Sequence, residues 1–446
     1  MSAFEKTKDN DIAASAAHRD RVRLFCSYVL PSVLSFALSG IYAIVDGFFI
    51  GNSIGDAGLS AINIAYPVTA LIQAVGTGAG MGGAVLYAVR LAEDRRSDAE
   101  NVLRGTILFL TVSGILLSLL LFPAIDPLLT LMGAEGHLHT LGREYLQIIV
   151  LGAILQIFGT GIVPLIRNNN GSLFSMFCMI AGFLTNIVLD YAFVWIFSWG
   201  MTGAAAATII GQGVTMAGGF LYLLLKKLPF WGPVRRKRML CLHILRIGIA
   251  PFGNTMCPMI SLLLMNKFSL TWGGERGVAS YACIAYIMTI VYLLLQGVGD
   301  GSQPLMSQYY GISSKEEVRQ IRRLSYGAAW IVSALCMACL FVLRGEIGPL
   351  FGSSGAVSVD VAAALPIFLT AVPFVSFTRV TTSALYATEQ NICSYILVYA
   401  EPVLLALLLL IIPPFWKQDG VWWSMALSQI LTCLIALGIK IYSDRR

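Results

Sequence analysis

Apolar runs of about 20 residues, the length that carries a helix across a hydrocarbon core roughly 30 Å thick, recur twelve times between Leu24 and Tyr442. They predict spans near 24–49, 59–88, 102–125, 140–164, 173–197, 202–225, 242–269, 279–306, 323–343, 358–386, 392–412 and 420–442. The chain is 57% hydrophobic and only 12% charged, against roughly 25% charged for an ordinary soluble domain. A soluble fold is therefore excluded. The runs are continuously apolar instead of alternating, which excludes a membrane β-barrel. The expected class is an all-α membrane protein.

The net charge of +6 would suit nucleic acid, but its distribution points to a membrane. With the N-terminus placed inside, the inner segments hold 23 of the lysines and arginines and the outer ones 5. The densest inner group is Lys226, Lys227, Arg235, Arg236, Lys237 and Arg238. The positive-inside rule then places both termini in the cytoplasm. The first apolar run is too long for a removable signal peptide and lacks a small-residue cleavage site, so it reads as a retained span. The nine cysteines lie almost entirely in spans, where they act as small apolar residues, and no disulfide framework is expected. Cys336 and Cys339 form a C-x-x-C without a second pair or a histidine, too little for a metal or redox site.

The basic stretch near the midpoint also divides the chain into similar halves. Gln73, Gly76 and Gly78 precede Gln296, Gly299 and Gly301 by 223 residues, and the same offset pairs Tyr87 with Tyr310 and Arg96 with Arg319. An offset of 220 pairs Pro31 with Pro251 and Asp46 with Asn266. The expected organisation is a cytoplasmic segment 1–23, a six-helix lobe 24–225, a linker 226–241 and a second six-helix lobe 242–446. An even number of spans per repeat makes the repeats parallel, a plan on which transporters bind substrate between two rocking bundles. Gly76, Gly78, Gly80, Gly82 and Gly83, with Gly203 and Ala204 to Ala207, suit close helix packing more than ligand contact.

An ionisable group in the membrane interior costs at least about 2.5 kcal/mol on insertion scales, so it calls for a partner, a wet cavity or a function. Asp46 lies near the outer end of the first span, where an interfacial cap is the competing explanation. Asp190 lies deeper. Asn186 and Asp190, at i and i+4, share one helix face and can present an amide oxygen and a carboxylate to one point. Thr208, in the next span, adds a hydroxyl, although such a threonine often bonds its own backbone. Oxygen ligands suit a hard cation, and a carboxylate in low dielectric also suits a proton. Coupling chemistry thus falls in the first half. In the second, Glu401 before Pro402 is either a charge facing a cavity or a satisfied polar group at a helix break. Asp300 and Arg379 are candidates to pair across helices. Tyr42, Phe174 and Met176 are candidates for an aromatic and methionine lining with broad binding. Pro31 lies about four turns before Asp46, so a charge change at the acid can be read out as a bend there.

The chain resembles the multidrug and toxic compound extrusion (MATE) transporters along essentially its whole length. The resemblance rests on the Pro31 to Asp46 first span with Tyr-Ala-Ile-Val-Asp-Gly-Phe-Phe-Ile-Gly, on Arg167, Asn186, Asp190 and Tyr191, on Gly-Met-Thr-Gly-Ala-Ala-Ala-Ala-Thr-Ile-Ile-Gly-Gln, and on Gly299, Gln303 and Pro304. It implies two six-helix lobes around a central cavity, and export of organic cations or amphipathic drugs in exchange for Na+ or H+. In the branch with its cation site in the N-terminal lobe, the matching positions are Asp46, Asn186, Asp190 and Thr208, with Pro31 at the bend. Another branch carries acids in the seventh and tenth spans, where this chain has Asn266, Thr381 and Thr382.

The expectation is a secondary antiporter of the cytoplasmic membrane, acting as a monomer on small cationic or amphipathic molecules, with lipid around it, no nucleic acid and no cofactor beyond the coupling ion. One rival is a flippase for lipid-linked precursors, which would need an arginine-lined cavity for phosphate. An enzyme is disfavoured, since no nucleophile and base arrangement exists and His18, His137, His139 and His243 lie at or outside span ends.

Overall fold

The computed structural model describes residues 3–351 and 353–445, with side chains for all of these except 3–18, 43 and 56. Lys6, Lys8 and His18 of the expected cytoplasmic segment therefore lie outside the described side chains. The described residues are helical almost throughout, with no strand. Twelve crossings follow once two features are recognised.

The first six elements after the N-terminus are α1 (Ala3–Ser53), α2 (Asp56–Ala92), α3 (Arg96–Leu121), the short α4 (Ile125–Leu131), α5 (Gly136–Leu151) and α6 (Ala153–Asn168). α5 and α6 together make the fourth crossing, bent by 58° at Gly152. A ψ of 7° there leaves the helical well, which is the local origin of the bend. α7 (Ser172–Asp190) continues as a π-helical turn over Tyr191–Ile196, and α8 (Gly200–Leu225) closes the first half.

α9 (Lys237–Gly311) is 75 residues long and breaks once, at Gly274 with φ +62°. Two crossings thus meet in a single-residue turn where the sequence suggested a loop, because glycine alone takes that dihedral pair without strain. α10 (Lys315–Val342), α11 (Arg344–Leu350), α12 (Gly355–Ala387), α13 (Asn391–Ile411) and α14 (Pro413–Arg445) complete the second half. The two surface helices α4 and α11 are related by an offset of 219 residues, so the repeat extends to elements outside the spans.

Apolar side chains gather into two large cores, but the lobes exchange one helix end each. Phe25, Tyr28 and Val29 of α1 are buried in the second core. Leu240, Ile244 and Ile247 of α9 are buried in the first. The exchange is built on two glycine crossings. A Cβ at Gly82 of α2 would lie 2.2 Å from the Ile244 carbonyl oxygen, and one at Gly301 of α9 would lie 2.8 Å from the Val29 Cα. These glycines are therefore packing surfaces that let backbones touch.

Polar ties run along the same end of the molecule. The Asn168 and Gln303 amides exchange hydrogen bonds of 2.9 and 3.0 Å across the lobes. Arg21 donates twice at 2.9 Å to the Glu317 carboxylate, and Tyr28 donates to Asn170 at 2.5 Å. Two buried complementary amides leave few orphaned groups, so this end is closed by mutual satisfaction as well as by packing. The linker is pinned nearby: Arg104 donates to the Pro229 carbonyl at 3.0 Å and the Arg235 amide donates to Asn101 at 2.7 Å.

Candidate functional site

The acids of the first half converge. Asp46 on α1 and Asp190 on α7 face each other closely enough for their carboxyl groups to interact directly. Asn186 lies one turn below Asp190, and both are almost fully buried, at 2% and 1% exposure. What brings α7 so near α8 is a pair of small residues. A Cβ at Gly211 of α8 would lie 3.0 Å from the Asn186 Cβ and 2.8 Å from the Gly182 carbonyl. The sequence Gly-Ala-Ala-Ala-Ala-Thr-Ile-Ile-Gly thus presents a smooth helix face on which the polar residues of α7 can seat.

Thr208 stands at that face. Its hydroxyl donates to the Ala204 carbonyl at 3.1 Å, the backbone bond expected of a threonine in a membrane helix, while its oxygen lone pairs remain for a second partner. The Tyr42 and Tyr145 hydroxyls both lie against it, and both rings feel the Asp46 and Asp190 charges. Tyr42 is fixed by stacking on Phe183, centroids 5.2 Å apart at 9°. Beyond the acids, the ends of α1 and α7 are clasped by aromatic contacts, Phe49 on Trp195 at 5.5 Å and Tyr191 on Trp195 at 5.8 Å. The π-helical turn that begins at Tyr191 supplies this clasp, and such turns occur often at functional sites.

The decisive feature is what the cluster lacks. Apart from the contact between the two carboxyl groups themselves, Asp190 Oδ1 and Oδ2, Asp46 Oδ1, and both amide atoms of Asn186 are buried without a hydrogen-bond partner among the described residues. Among the described residues no cationic side chain acts on either carboxyl group. Five orphaned polar atoms in one place contrast with the near-complete pairing usual in protein interiors. Two carboxylates, an amide oxygen and hydroxyls from four crossings form an all-oxygen donor set, which fits a hard cation such as Na+. A proton bound between the carboxyls fits equally.

The other sequence candidates are placed elsewhere. α1 passes through Pro31 as one helix, and Ser35 donates to the Pro31 carbonyl at 2.8 Å. Phe174 packs on Tyr222, centroids 5.0 Å apart, against the first core, and Met176 is buried in α7. Glu401 lines a cavity of about 110 Å³ with Tyr281, Tyr292 and Phe368 of the second lobe and Tyr66 of α2 in the first. That volume is below the roughly 300 Å³ of a drug-sized site. Tyr42, Phe174, Met176 and Glu401 are therefore not brought together at one surface. Asp300 and Arg379 also have separate partners. Asp300 accepts from Gln296 and from Tyr386, each at 2.7 Å, and its carbonyl accepts from Arg167 at 3.3 Å. Arg379 lies 4.0 Å from the Glu401 carboxylate and donates to Asn254 at 3.2 Å. Gln429 completes Glu401 at 2.8 Å.

Tyr145 is the member of the cluster that sequence reasoning misses. It lies on α5, in the amphipathic stretch His-Thr-Leu-Gly-Arg-Glu-Tyr-Leu, with no local signal to separate it from an interfacial tyrosine. Only the bend at Gly152 and the packing of four crossings bring it to the acids.

A family model described as MatE matches residues 31–192 and 249–411. The multidrug export protein MepA of Staphylococcus saprophyticus is 23% identical over 414 residues, covering 92% of this chain and 91% of that one. A transporter of the MOP superfamily from Pyrococcus furiosus, described as having a binding pocket of reversed polarity, superposes with a TM-score of 0.88 at 22% identity, over 94% of this chain and 95% of that one. The outward-facing conformation of a multidrug resistance MATE transporter superposes with the same score, identity and coverage.

Proposed function

As the chain belongs to the MatE family of membrane transporters, we propose that it is a cation-coupled antiporter exporting organic cations or amphipathic drugs, driven by Na+ or H+. The observation that carries this reading is the group of five orphaned polar atoms at Asp46, Asn186 and Asp190. Buried anions without a partner are costly; a cation or proton arriving from the outer side relieves that cost and leaves the lobe in a different charge state. Thr208, Tyr42 and Tyr145 complete the donor set.

The proposed cycle has two states. With the acids empty, the lobes hold together at the end bearing the positive loops, through the two glycine crossings and the Asn168–Gln303 pair, and face outward. Cation binding draws Asp46 and Asp190 together, α1 bends at Pro31, and substrate is released outward. The cation and the substrate must differ in affinity for the two states, since a ligand shifts an equilibrium only by that difference. The lobes run 24–225 and 242–446, joined by the linker 226–241, with both termini in the cytoplasm and the chain acting as a monomer in the cytoplasmic membrane. Export is the reading favoured by the name of the MepA relative. A flippase reading has less support, because Arg167 and Arg379, the buried span arginines, are engaged with Asp300 and with Glu401 and Asn254.

The test is transport of a fluorescent organic cation in proteoliposomes under separately imposed Na+ and H+ gradients, for the parent and for Asp190→Asn. Gradient-driven movement by the parent alone is expected. If neither gradient moves the dye, antiport fails; if the variant matches the parent, the cation site is misplaced.

A further inference from the structure

A sizeable cavity lies away from the acid cluster. It encloses about 440 Å³ at the end of the molecule bearing the positive loops, within the usual range for ligand sites of roughly 300–1,000 Å³. Its wall joins the two lobes: Arg90 comes from α2, His243 and Arg246 from the start of α9, Glu389 from the turn between α12 and α13, Ile392 from the start of α13, and Tyr442 from the end of α14.

The charges in this wall are unevenly matched. Arg90 is paired with Glu93 at 2.7 Å, and burial raises the Glu389 pKa against the opposing influence of Arg90 and, more weakly, of His243. Among the described residues the Arg246 guanidinium and the His243 imidazole show no ion pair or hydrogen bond, although His243 lies near enough to act on the Glu389 charge; the Arg246 carbonyl accepts from Tyr395. Arg246 and His243 lie one turn apart on α9 and so face the cavity together. The first turn of α13, residues 391–393, forms another side of the cavity, and no side chain caps it. Its free amide groups add to the positive field.

The mouth of the cavity is apolar. Ile392 is 64% exposed and Tyr442 49%, while Leu242 and Leu245, beside the two basic residues on α9, are 52% and 43% exposed. On helices that cross a membrane, these exposed apolar groups face acyl chains. A basic recess at the headgroup level, opening between lipid-facing stripes, suits a molecule with an anionic head and an apolar tail. Basic pockets between transmembrane helices on the cytoplasmic side bind acidic lipid headgroups in this manner.

We propose that this cavity binds the phosphate headgroup of an acidic phospholipid from the adjacent leaflet, with Arg246 and His243 as its principal contacts and Arg90 closing the site from the other lobe. Because the wall draws on both lobes, the bound lipid favours the arrangement in which they meet at this end. The site is separate from the acid cluster and does not depend on antiport.

The test measures binding to the delipidated full-length protein in a neutral detergent, by native mass spectrometry and by the melting shift on adding lipid. The probes are phosphatidylglycerol, phosphatidylcholine with the same chains, and glycerol 3-phosphate. Phosphatidylglycerol is expected to bind one molecule per chain more tightly than the other two. Each of Arg246→Gln and His243→Gln, both exposed positions, should weaken it by about fivefold, near the usual contribution of one basic residue at a membrane surface. Arg96→Gln, at an arginine on the same side that does not line the cavity, should bind as the parent does. Equal binding of phosphatidylcholine, or equal weakening by Arg96→Gln, would overturn the site. Glycerol 3-phosphate binding as tightly as the lipid would overturn the lipid as its source.

Discussion

The two lobes bury acids in opposite ways. In the second, Asp300 and Glu401 are each provided for, by Gln296, Tyr386 and the Arg167 guanidinium in one case and by Gln429 and Arg379 in the other. In the first, Asp46 and Asp190 face each other with oxygen atoms that no other described group satisfies, and no described cationic side chain acts on them. Burial alone therefore does not distinguish a working acid from a structural one; the state of its partners does. A satisfied carboxylate holds one packing arrangement in place. An unsatisfied one calls for a positive charge from outside, the role proposed above for a coupling ion.

The largest expected effect tests that contrast directly. Asp190→Asn should lower gradient-driven transport by about 5- to 150-fold, the span of ordinary coupling free energies, while leaving the melting temperature near that of the parent or above it. Removing an unpaired buried charge does not weaken a fold. Proteoliposome flux and thermal unfolding of the same preparation check both halves of the statement. Loss of flux accompanied by a large fall in stability would place Asp190 with the structural acids.

Asp300→Ala should show the reverse. It removes the negative charge that acts on the buried Arg167 guanidinium, whose Nε already has no partner, leaves Gln296 without its acceptor, and leaves Tyr386 with Ser383 alone. Breaking a buried charge network of this kind costs about 3–5 kcal/mol. The loss should appear in thermal unfolding, and the protein that remains folded should keep its gradient dependence. If gradient dependence vanishes at unchanged stability, the assignment of roles between the lobes is reversed.

The glycine crossings give a smaller effect of a different kind. Gly82→Ala places a methyl group 2.2 Å from the Ile244 carbonyl, and overpacking of this sort costs about 1–3 kcal/mol. Gly327→Ala, where no atom lies within 4 Å of the new group, should be neutral or slightly stabilising through the reduced entropy of the unfolded chain. Unfolding midpoints of the two variants measured together decide whether the α2 and α9 contact is as tight as its geometry requires.

Much of this was legible in the sequence because membrane helices are written in composition. The twelve spans, the duplication and the all-α class follow from apolar length and recurring offsets. Asn186 and Asp190 were legible because a helix period of 3.6 fixes which residues share a face. Other features depend on tertiary packing, which no local pattern encodes. Tyr145 reaches the acids only through the bend at Gly152. The pairing of Arg379 with Glu401, where Asp300 was the expected candidate, is set by how α12 and α13 lie together. The exchange of Phe25 to Val29 of α1 and Leu240 to Ile247 of α9 between lobes is also invisible to periodicity, since a buried apolar residue reads the same whichever core receives it. The short loops expected inside α9 and α14 fail for a local reason: Gly274 and Lys417, with φ of 62° and 51°, turn the chain within one residue.

The smallest expected effect concerns Glu401, where the two explanations left open by the sequence predict different outcomes. As a satisfied group it accepts from Gln429 at 2.8 Å and meets Arg379 only at 4.0 Å. Glu401→Gln keeps an oxygen for Gln429 and loses a long ion pair, while Arg379 retains Asn254. A hydrogen bond to a buried charged group contributes about 1.5–3 kcal/mol, and since one such bond is weakened without being removed, the loss should be about 1 kcal/mol. Dependence of flux on the Na+ or H+ gradient should be unchanged, and KM for a monovalent organic cation should move by less than about fivefold, because a cavity of about 110 Å³ does not admit the whole molecule. A large rise in KM for cationic but not neutral dyes would show that the second lobe holds a working acid after all, and that partner satisfaction is not what separates the two lobes.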